Sequence, residues 1–317
     1  MKDLTIGLHT AARDAAGVGD FILQAQKVGI QVAWLTSGGV APDPLVCFAS
    51  VAKDTTLDFG TCIIPTFPRH PLALAQGAIA VDSLAPGRLR LGVGPSHKPA
   101  IERTYQFDFT RPLEHLREYV TILTTIFRDG SVAFHGKRLH AEAQTAGPAN
   151  IRVMVSALRH NAFKLAGELT EGGISWVSPP DHIRDVALPA LKEGAAAAGR
   201  DYVPPAIVHV PIVVSDDPGA VFEAATRQIG FYQRLPFYMA MWIEAGFPEA
   251  SGTEFTRRMC DALVVSGTEN QVADRLRQLP HYGAGEIIAM PILMPNDHAA
   301  RDRTVELLGA LAKGGLN

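Results

Sequence analysis

Two short loops of the chain combine glycine or proline with side chains that can do acid–base chemistry. The loop at residues 65–70 ends in His70, and the loop at residues 94–98 holds Ser96 and His97. A histidine titrates near neutral pH and can take or give a proton, and a neighbouring hydroxyl can donate a hydrogen bond. We therefore take His97 and Ser96 as candidate catalytic residues. His70 either begins the helix that follows it or lines the same pocket.

A predicted β-α-β unit between residues 58 and 98 positions both loops. Residues 58–64 are predicted to form a short buried strand, residues 72–84 are apolar at helical spacing, and residues 89–93 form a second strand. In such a unit the strands are parallel and the helix crosses over right-handed, so the loops after the two strands lie on the same face. The two loops are therefore expected to be two walls of one pocket.

The same alternation of strand and helix continues along the whole chain. Strands are predicted near residues 4, 31, 58, 89, 152, 173, 207 and 286, each followed by a segment that can form a helix. Eight alternating units are typical of a (β/α)8 TIM barrel, an α/β fold, rather than of an open sheet. We predict one domain over residues 1–317.

Two stretches depart from this alternation. Residues 132–140 predict a small β-hairpin around His135-Gly136. Residues 216–264 separate the seventh and eighth strands and carry too many aromatic residues for a solvated linker. We expect inserted helices there, which either roof the pocket or pack against a second subunit.

Composition excludes several classes of protein. A net charge of -3 with 19% charged residues leaves no basic surface for nucleic acid or an anionic membrane. The start of the chain lacks a signal-like apolar run, and no stretch approaches about 18 uninterrupted apolar residues, so we expect a cytoplasmic protein. Cys47, Cys62 and Cys260 are far apart without CxxC spacing, and the histidines considered lack ligand spacing, so no disulfide or metal site is predicted.

The motifs of the central unit resemble a known family. They are Gly60-Thr61-Cys62-Ile63, His70-Pro71-Leu72-Ala73, Pro86-Gly87-Arg88-Leu89 and Gly92-Val93-Gly94-Pro95-Ser96-His97. In order and spacing they are similar to the bacterial-luciferase-like oxidoreductases. They are most similar to the coenzyme F420-dependent branch, which includes methylenetetrahydromethanopterin reductases and F420-dependent dehydrogenases. The likeness covers nearly the whole chain and is strongest over residues 58–128.

The resemblance implies a TIM barrel that binds a flavin-like ring at the carboxyl ends of its strands. It implies an oxidoreductase that transfers a hydride between the deazaflavin coenzyme F420 and a small organic substrate, with the redox chemistry belonging to the cofactor. It places Cys62, Ile63 and Gly94 among the cofactor-binding residues, with a non-prolyl cis peptide bond between Cys62 and Ile63. It also implies a homodimer or a larger assembly, of which we expect the homodimer.

A phosphate site is predicted after the fifth strand. Residues 156–160 close a strand and open a helix, and free amides at a helix start suit an anion. The amides of Ala157, Leu158 and Arg159, with the Arg159 guanidinium, are predicted to hold the phosphate, and Gly173 closes the next connection. Members of the family resembled usually carry glycine at the first of these turns, where this chain has Leu158-Arg159. The alternative is therefore that these residues only begin a helix and bind no phosphate.

Two other functions stay open. The protein could be an FMN-dependent monooxygenase that uses a partner reductase, or a non-catalytic flavin- or deazaflavin-binding protein. Some F420-dependent dehydrogenases carry a catalytic histidine at the end of the second strand, whereas the matching loop here is Thr36-Ser37-Gly38. This chain therefore lacks the main catalytic residue that a sugar-phosphate dehydrogenase of the family would need.

Overall fold

The computed structural model describes residues 5–11 and 14–314, which form an α/β structure. The strands are β1 Thr5–Ala11, β2 Val32–Thr36, β3 Asp58–Thr61, β4 Ile64–Pro65, β5 Leu89–Gly94, β6 Ser131–His135, β7 His140–Gln144, β8 Arg152–Ser156, β9 Gly173–Trp176, β10 Ala206–Val214, β11 Val265–Gly267 and β12 Ala284–Pro291. The α-helices are α1 Ala15–Val28, α2 Pro44–Val51, α3 Pro71–Leu84, α4 Lys98–Thr104, α5 Pro112–Asp129, α6 His160–Leu169, α7 Pro180–His182, α8 Leu188–Ala197, α9 Pro218–Ile229, α10 Pro236–Glu244, α11 Arg257–Leu263, α12 Glu269–Gln278 and α13 Ala299–Gly314. Short 3₁₀ turns cover Gly230–Arg234, Pro248–Ser251 and Leu279–Tyr282, and a π-helical turn, Ile183–Ala187, joins α7 to α8.

Eight parallel strands close into a barrel. The pairing order is β1, β2, β3, β5, β8, β9, β10 and β12, and β12 pairs with β1 again, with Thr5 opposite Glu286. The short strand β4 continues β3 and pairs with β5. Each predicted strand is present in the described part of the chain, so the predicted TIM barrel is confirmed.

Helix starts and stops follow local sequence signals. Helix α3 begins at Pro71 behind the N-cap residue His70, and α5 begins at Pro112, because proline loses nothing at a first helical position whose amide has no partner anyway. Helix α5 ends at Gly130, whose φ of 70° is easily adopted only by glycine. Its apolar stripe, which includes Tyr119 and Leu123, is buried against the barrel, as the helical spacing predicts.

The amino end of the barrel is closed by charged side chains. Arg90 Nη2 lies 3.0 Å from Asp58 Oδ2, and Arg152 Nη2 lies 2.8 Å from the same oxygen. Arg90 also contacts Glu286. Since β5 and β12 are on different sides of the barrel, this last contact crosses its interior.

The middle of the barrel is filled by apolar side chains around Trp34. A Cβ atom added at Gly7 would lie 2.3 Å from Trp34 Nε1, and one added at Gly60 would lie 2.2 Å from Trp34 Cε3. The indole therefore occupies the space that side chains at these two positions would need. Fully buried Ile207 and Ile288 belong to the same cluster.

Both predicted insertions are present. Strands β6 and β7 form an antiparallel hairpin, which is attached to α5 because the Glu118 carboxylate accepts hydrogen bonds from three hairpin amides. The long insertion forms α9, α10 and α11 around a second apolar cluster that contains Trp242. The sequence did not predict strand β11, which pairs with the outer part of β10.

None of the helices in residues 5–11 and 14–314 has the length and apolar character needed to span a membrane.

Candidate functional site

Side chains from four strands, and one from the residue that follows β3, meet at the carboxyl end of the barrel. The His9 ring on β1 lies 4.8 Å from the His209 ring on β10, measured between centroids. Trp176, which ends β9, lies 4.2 Å from the His209 ring. Thr36 ends β2, and Cys62 follows β3. We call these five residues the barrel-mouth cluster.

A hydrogen-bond chain links three members of the cluster. His9 Nε2 is 2.6 Å from Thr36 Oγ1, and the Thr36 hydroxyl donates to the Cys62 carbonyl oxygen at 3.2 Å. The Cys62 sulfur lies 3.7 Å from the same hydroxyl. The side chains of β1, β2 and the residue after β3 are thus held in fixed relation.

The ionisable groups of the cluster are neutral at physiological pH. Desolvation lowers the pKa of His9 to about 4, and burial raises the pKa of the Cys62 thiol to about 12. The pKa of His209 is lowered well below its usual value by burial and, to a smaller extent, by His9. Each charged form would lose its hydration without gaining a counter-charge. The cluster therefore presents neutral imidazoles and a thiol.

The predicted ring-binding residues lie together beside this cluster. The peptide bond between Cys62 and Ile63 is cis, as the resemblance implied. A Cβ atom added at Gly94 would lie 2.1 Å from Ser156 Oγ and 3.2 Å from Ile63 Cγ1. Glycine at position 94 therefore lets three segments approach closely. A contact of Cys62, Ile63 and Gly94 with a cofactor stays a prediction.

His97 lies under the long insertion, at the same end of the barrel. Its half-buried ring is 5.8 Å from the Tyr232 ring and 5.6 Å from the Tyr238 ring, and burial lowers its pKa. Tyr232 also lies 5.7 Å from Trp176 of the barrel-mouth cluster. The insertion thus contacts His97 and Trp176 at the carboxyl end of the barrel, and both expectations for it, a roof over a pocket and a subunit contact, stay predictions. Ser96, beside His97, has a φ of 62°.

The predicted phosphate site is at the start of α6, with two changes. The amides of Leu158 and Arg159 donate to no other residue of the described part of the chain, whereas the Ala157 amide donates to the Ile174 carbonyl at 2.8 Å. Ala157 thus still belongs to the barrel sheet, and its amide is not available to an anion. The Arg159 guanidinium is engaged by Glu244 of α10, with Nε 2.9 Å from Oε2.

The sequence model of the luciferase-like monooxygenases matches residues 3–285. The chain belongs to this family. An F420-dependent glucose-6-phosphate dehydrogenase of Mycobacterium avium is 31% identical over 245 residues, 74% of this chain and 69% of the relative.

Solved structures show the same fold in enzymes with different cofactors. An F420-dependent secondary alcohol dehydrogenase, in complex with an F420-acetone adduct, matches with a TM-score of 0.81 at 16% identity, over 96% of this chain and 98% of that one. The oxygenating constituent of a Baeyer-Villiger monooxygenase from Pseudomonas putida, in complex with FMN, matches with a TM-score of 0.71 at 17% identity, over 96% of each chain. The barrel alone does not decide between these cofactors.

Gly173 of this luciferase-like chain is not at the ligand face. It begins β9 and lies opposite Ala206, the first residue of β10, at the amino end of the barrel. Its amide donates to the Pro205 carbonyl, and a Cβ atom there would lie 3.0 Å from Phe163. The glycine at position 173 therefore allows helix α6, through Phe163, to pack closely against the start of β9. The connection that does reach the ligand face begins at Val177, whose φ is 43°.

His70 takes the first of the two roles considered for it. Its Nδ1 accepts a hydrogen bond from the Leu72 amide, and its exposed ring places Nε2 3.1 Å from the His140 carbonyl oxygen on the hairpin. Both ring nitrogens are thus used in starting α3 and in attaching the hairpin. A cofactor contact of His70 stays a prediction without support from this geometry.

The sequence did not single out His9, His209 or Trp176. Each lies inside or at the end of an apolar strand, where a polar side chain carries no motif of its own. The period-two alternation of a strand could have found them, because His9 and His209 face the side opposite to the apolar neighbours that pack under the helices.

Proposed function

We propose that this luciferase-like protein is an F420-dependent oxidoreductase that moves a hydride between the deazaflavin ring and a small organic substrate. The observation that supports the proposal is a helix start with unbonded amides at Leu158 and Arg159, at the same end of the barrel as the Cys62–Ile63 segment and Trp176. A phosphate-bearing deazaflavin would use the first for its phosphate and the second for its ring.

The anionic part of the cofactor would be held at α6. The amides of Leu158 and Arg159 are available there, and the helix dipole favours negative charge at this position. The Arg159 guanidinium adds a cation once it leaves Glu244. We propose Leu158 and Arg159, without Ala157 and Gly173, as the phosphate-binding residues.

The ring would lie against the segment of Cys62 and Ile63, next to Gly94. Glycine at position 94 lets the end of β5 pack closely against Ser156 and Ile63. Trp176, Tyr232 and Tyr238 surround the mouth and would exclude water from it. The cofactor, when bound, supplies the hydride acceptor or donor, and the protein supplies position and a dry environment.

F420 is preferred to FMN because the M. avium relative, at 31% identity, is named as F420-dependent. FMN is the cofactor in the Pseudomonas monooxygenase that shares the fold. FMN use is therefore the main competing outcome of the test.

A homodimer in the cytoplasm is part of the proposal, and light scattering after size-exclusion chromatography should give twice the mass of one chain.

The test is a fluorescence titration of the purified protein with F420, with FMN, and with the deazaflavin nucleoside that lacks phosphate. We expect micromolar or tighter binding of F420, weaker binding of FMN, and weaker binding of the phosphate-free compound. Preference for FMN would contradict the proposal and point to a monooxygenase that needs a reductase. Tight F420 binding with no turnover of alcohols, enones, imines or pterins would instead favour a non-catalytic binding protein.

A further inference from the structure

The hydrogen bonds of His9 depend on where the one hydroxyl proton of Thr36 lies. The Thr36 hydroxyl contacts the Cys62 carbonyl oxygen at 3.2 Å and His9 Nε2 at 2.6 Å. The Cys62 carbonyl can only accept. We infer the arrangement in which the Thr36 hydroxyl donates to this carbonyl, so that Thr36 Oγ1 accepts from His9 Nε2–H and His9 Nδ1 is an acceptor.

The Nδ1 atom of His9 is buried and has no hydrogen-bond partner among the described residues. Buried polar atoms nearly always have a partner, and an orphan calls for a ligand or a water. The Nε2 atom of the facing His209 is in the same condition. The mouth of the barrel thus contains polar atoms that a bound hydroxyl group would satisfy.

A metal ion is the competing occupant. His9, Cys62 and His209 offer ligand atoms that all lie within 4.8 Å of one another. Four-coordinate zinc, with bonds of about 2.0–2.3 Å, would draw its ligand atoms to separations of about 3.3–3.8 Å. The ligand atoms would have to move closer together to hold the ion. The geometry favours a hydroxyl over a metal ion.

We propose that His9 Nδ1 is the acid–base group for an alcohol substrate and the carbonyl compound related to it, with Thr36 as its positioning residue. The inference rests on the proposed function, which supplies the hydride acceptor. In oxidation the substrate C–H bond breaks and its electron pair leaves with the hydrogen for the oxidised deazaflavin. The O–H proton passes to His9 Nδ1 as the C=O bond forms. In the reverse direction protonated His9 returns that proton to the carbonyl oxygen.

Thr36 acts through His9. Its hydroxyl fixes the ring by accepting from Nε2–H, so that the free lone pair is on Nδ1. Replacing Thr36 by valine keeps the shape of the side chain and removes the acceptor. The ring would then be free to exchange tautomers.

The first measurement is nitrogen-15 NMR of the histidine rings, which needs no cofactor. We expect wild-type His9 to be the neutral tautomer with the proton on Nε2, and Thr36→Val to show a mixture of tautomers. A wild-type ring with the proton on Nδ1 would overturn the inference.

The second measurement is the reduction of F420 by a panel of small primary and secondary alcohols. We expect His9→Gln to lower kcat by about a hundredfold or more, with F420 affinity unchanged within about twofold. Thr36→Val should lower kcat less and alter its pH profile. His135→Gln, on the exposed hairpin, is the matched control and should behave as the wild type.

The outcomes separate the two proposals. Failure of the wild type to bind F420 sinks the proposed function and with it this inference, whatever tautomer NMR finds. Binding of F420 with no alcohol turned over, or with His9→Gln as active as the wild type, overturns the role of His9 alone. Stoichiometric zinc in the purified protein that is lost in both His9→Gln and His209→Gln would replace the base with a metal site.

Discussion

Replacing Glu244 by glutamine is expected to tighten the binding of F420. Glu244 and Arg159 form an ion pair at the mouth of the predicted phosphate site, with 40% and 47% of their side-chain surfaces exposed. The Arg159 hydrogen bond lowers the pKa of Glu244, so the carboxylate stays charged at neutral pH. An anion that binds Arg159 must compete with this carboxylate.

The size of the effect follows from the exposure of the pair. Ion pairs of exposed side chains contribute about 0.2–1 kcal/mol. Removing that competition corresponds to a gain of about 1.4- to 5-fold in affinity. Because exposed charges are screened by salt, the gain should be larger at low ionic strength than at high ionic strength.

The assay is isothermal titration with F420 and with the phosphate-free deazaflavin, each at low and high salt. Glu244→Gln should tighten only F420, and Arg159→Gln should weaken it. In the double variant the Glu244 change should have no further effect. Glu249→Gln is a matched control, because Glu249 pairs with Arg258 in the same insertion at 2.9 Å. Equal tightening of both ligands, or no loss with Arg159→Gln, would refute a phosphate at Arg159.

Three further outcomes concern stability, each measured by urea denaturation. Burial lowers the pKa of His115 to about 4, so only the unfolded chain gains its proton between pH 6.5 and 4. His115 should then contribute about 3 kcal/mol at most to the fall in the free energy of unfolding over this range, and His115→Phe should remove that contribution. Gly94→Ala should cost about 1–3 kcal/mol through its clash with Ser156, and Ser156→Gly should recover part of it. Trp242→Phe should cost about 1–3 kcal/mol, because the indole N–H donates to the buried Val177 carbonyl at 2.8 Å.

The barrel could be predicted from the sequence because its signal is local. Each strand is a short apolar run between turn residues, and each helix repeats its apolar positions every three to four residues. The hairpin and the helical insertion were found by the same means. Strand β11 escaped because three residues, Val265–Gly267, are too few to show a period.

The candidate site was harder to predict, because it depends on which strands meet after closure. His9 and His209 are 200 positions apart in sequence and become neighbours only when β10, β12 and β1 pair. The error at Gly173 has the same origin, since the sequence does not say which end of a short strand faces the pocket. The predicted phosphate site began one residue too early, at Ala157. The Ala157 amide is used by the sheet, because sheet pairing continues past the end of β8.

The indole of Trp34 ties together positions that are distant in the gene. Gly7 and Gly60 can each gain a side chain only if Trp34 becomes smaller, and loss of the tryptophan alone would leave a hole in the barrel. Substitutions at these three sites therefore cannot be accepted one at a time without loss. Among luciferase-like proteins, positions 7, 34 and 60 should therefore covary: a smaller residue at position 34 should accompany larger residues at positions 7 and 60.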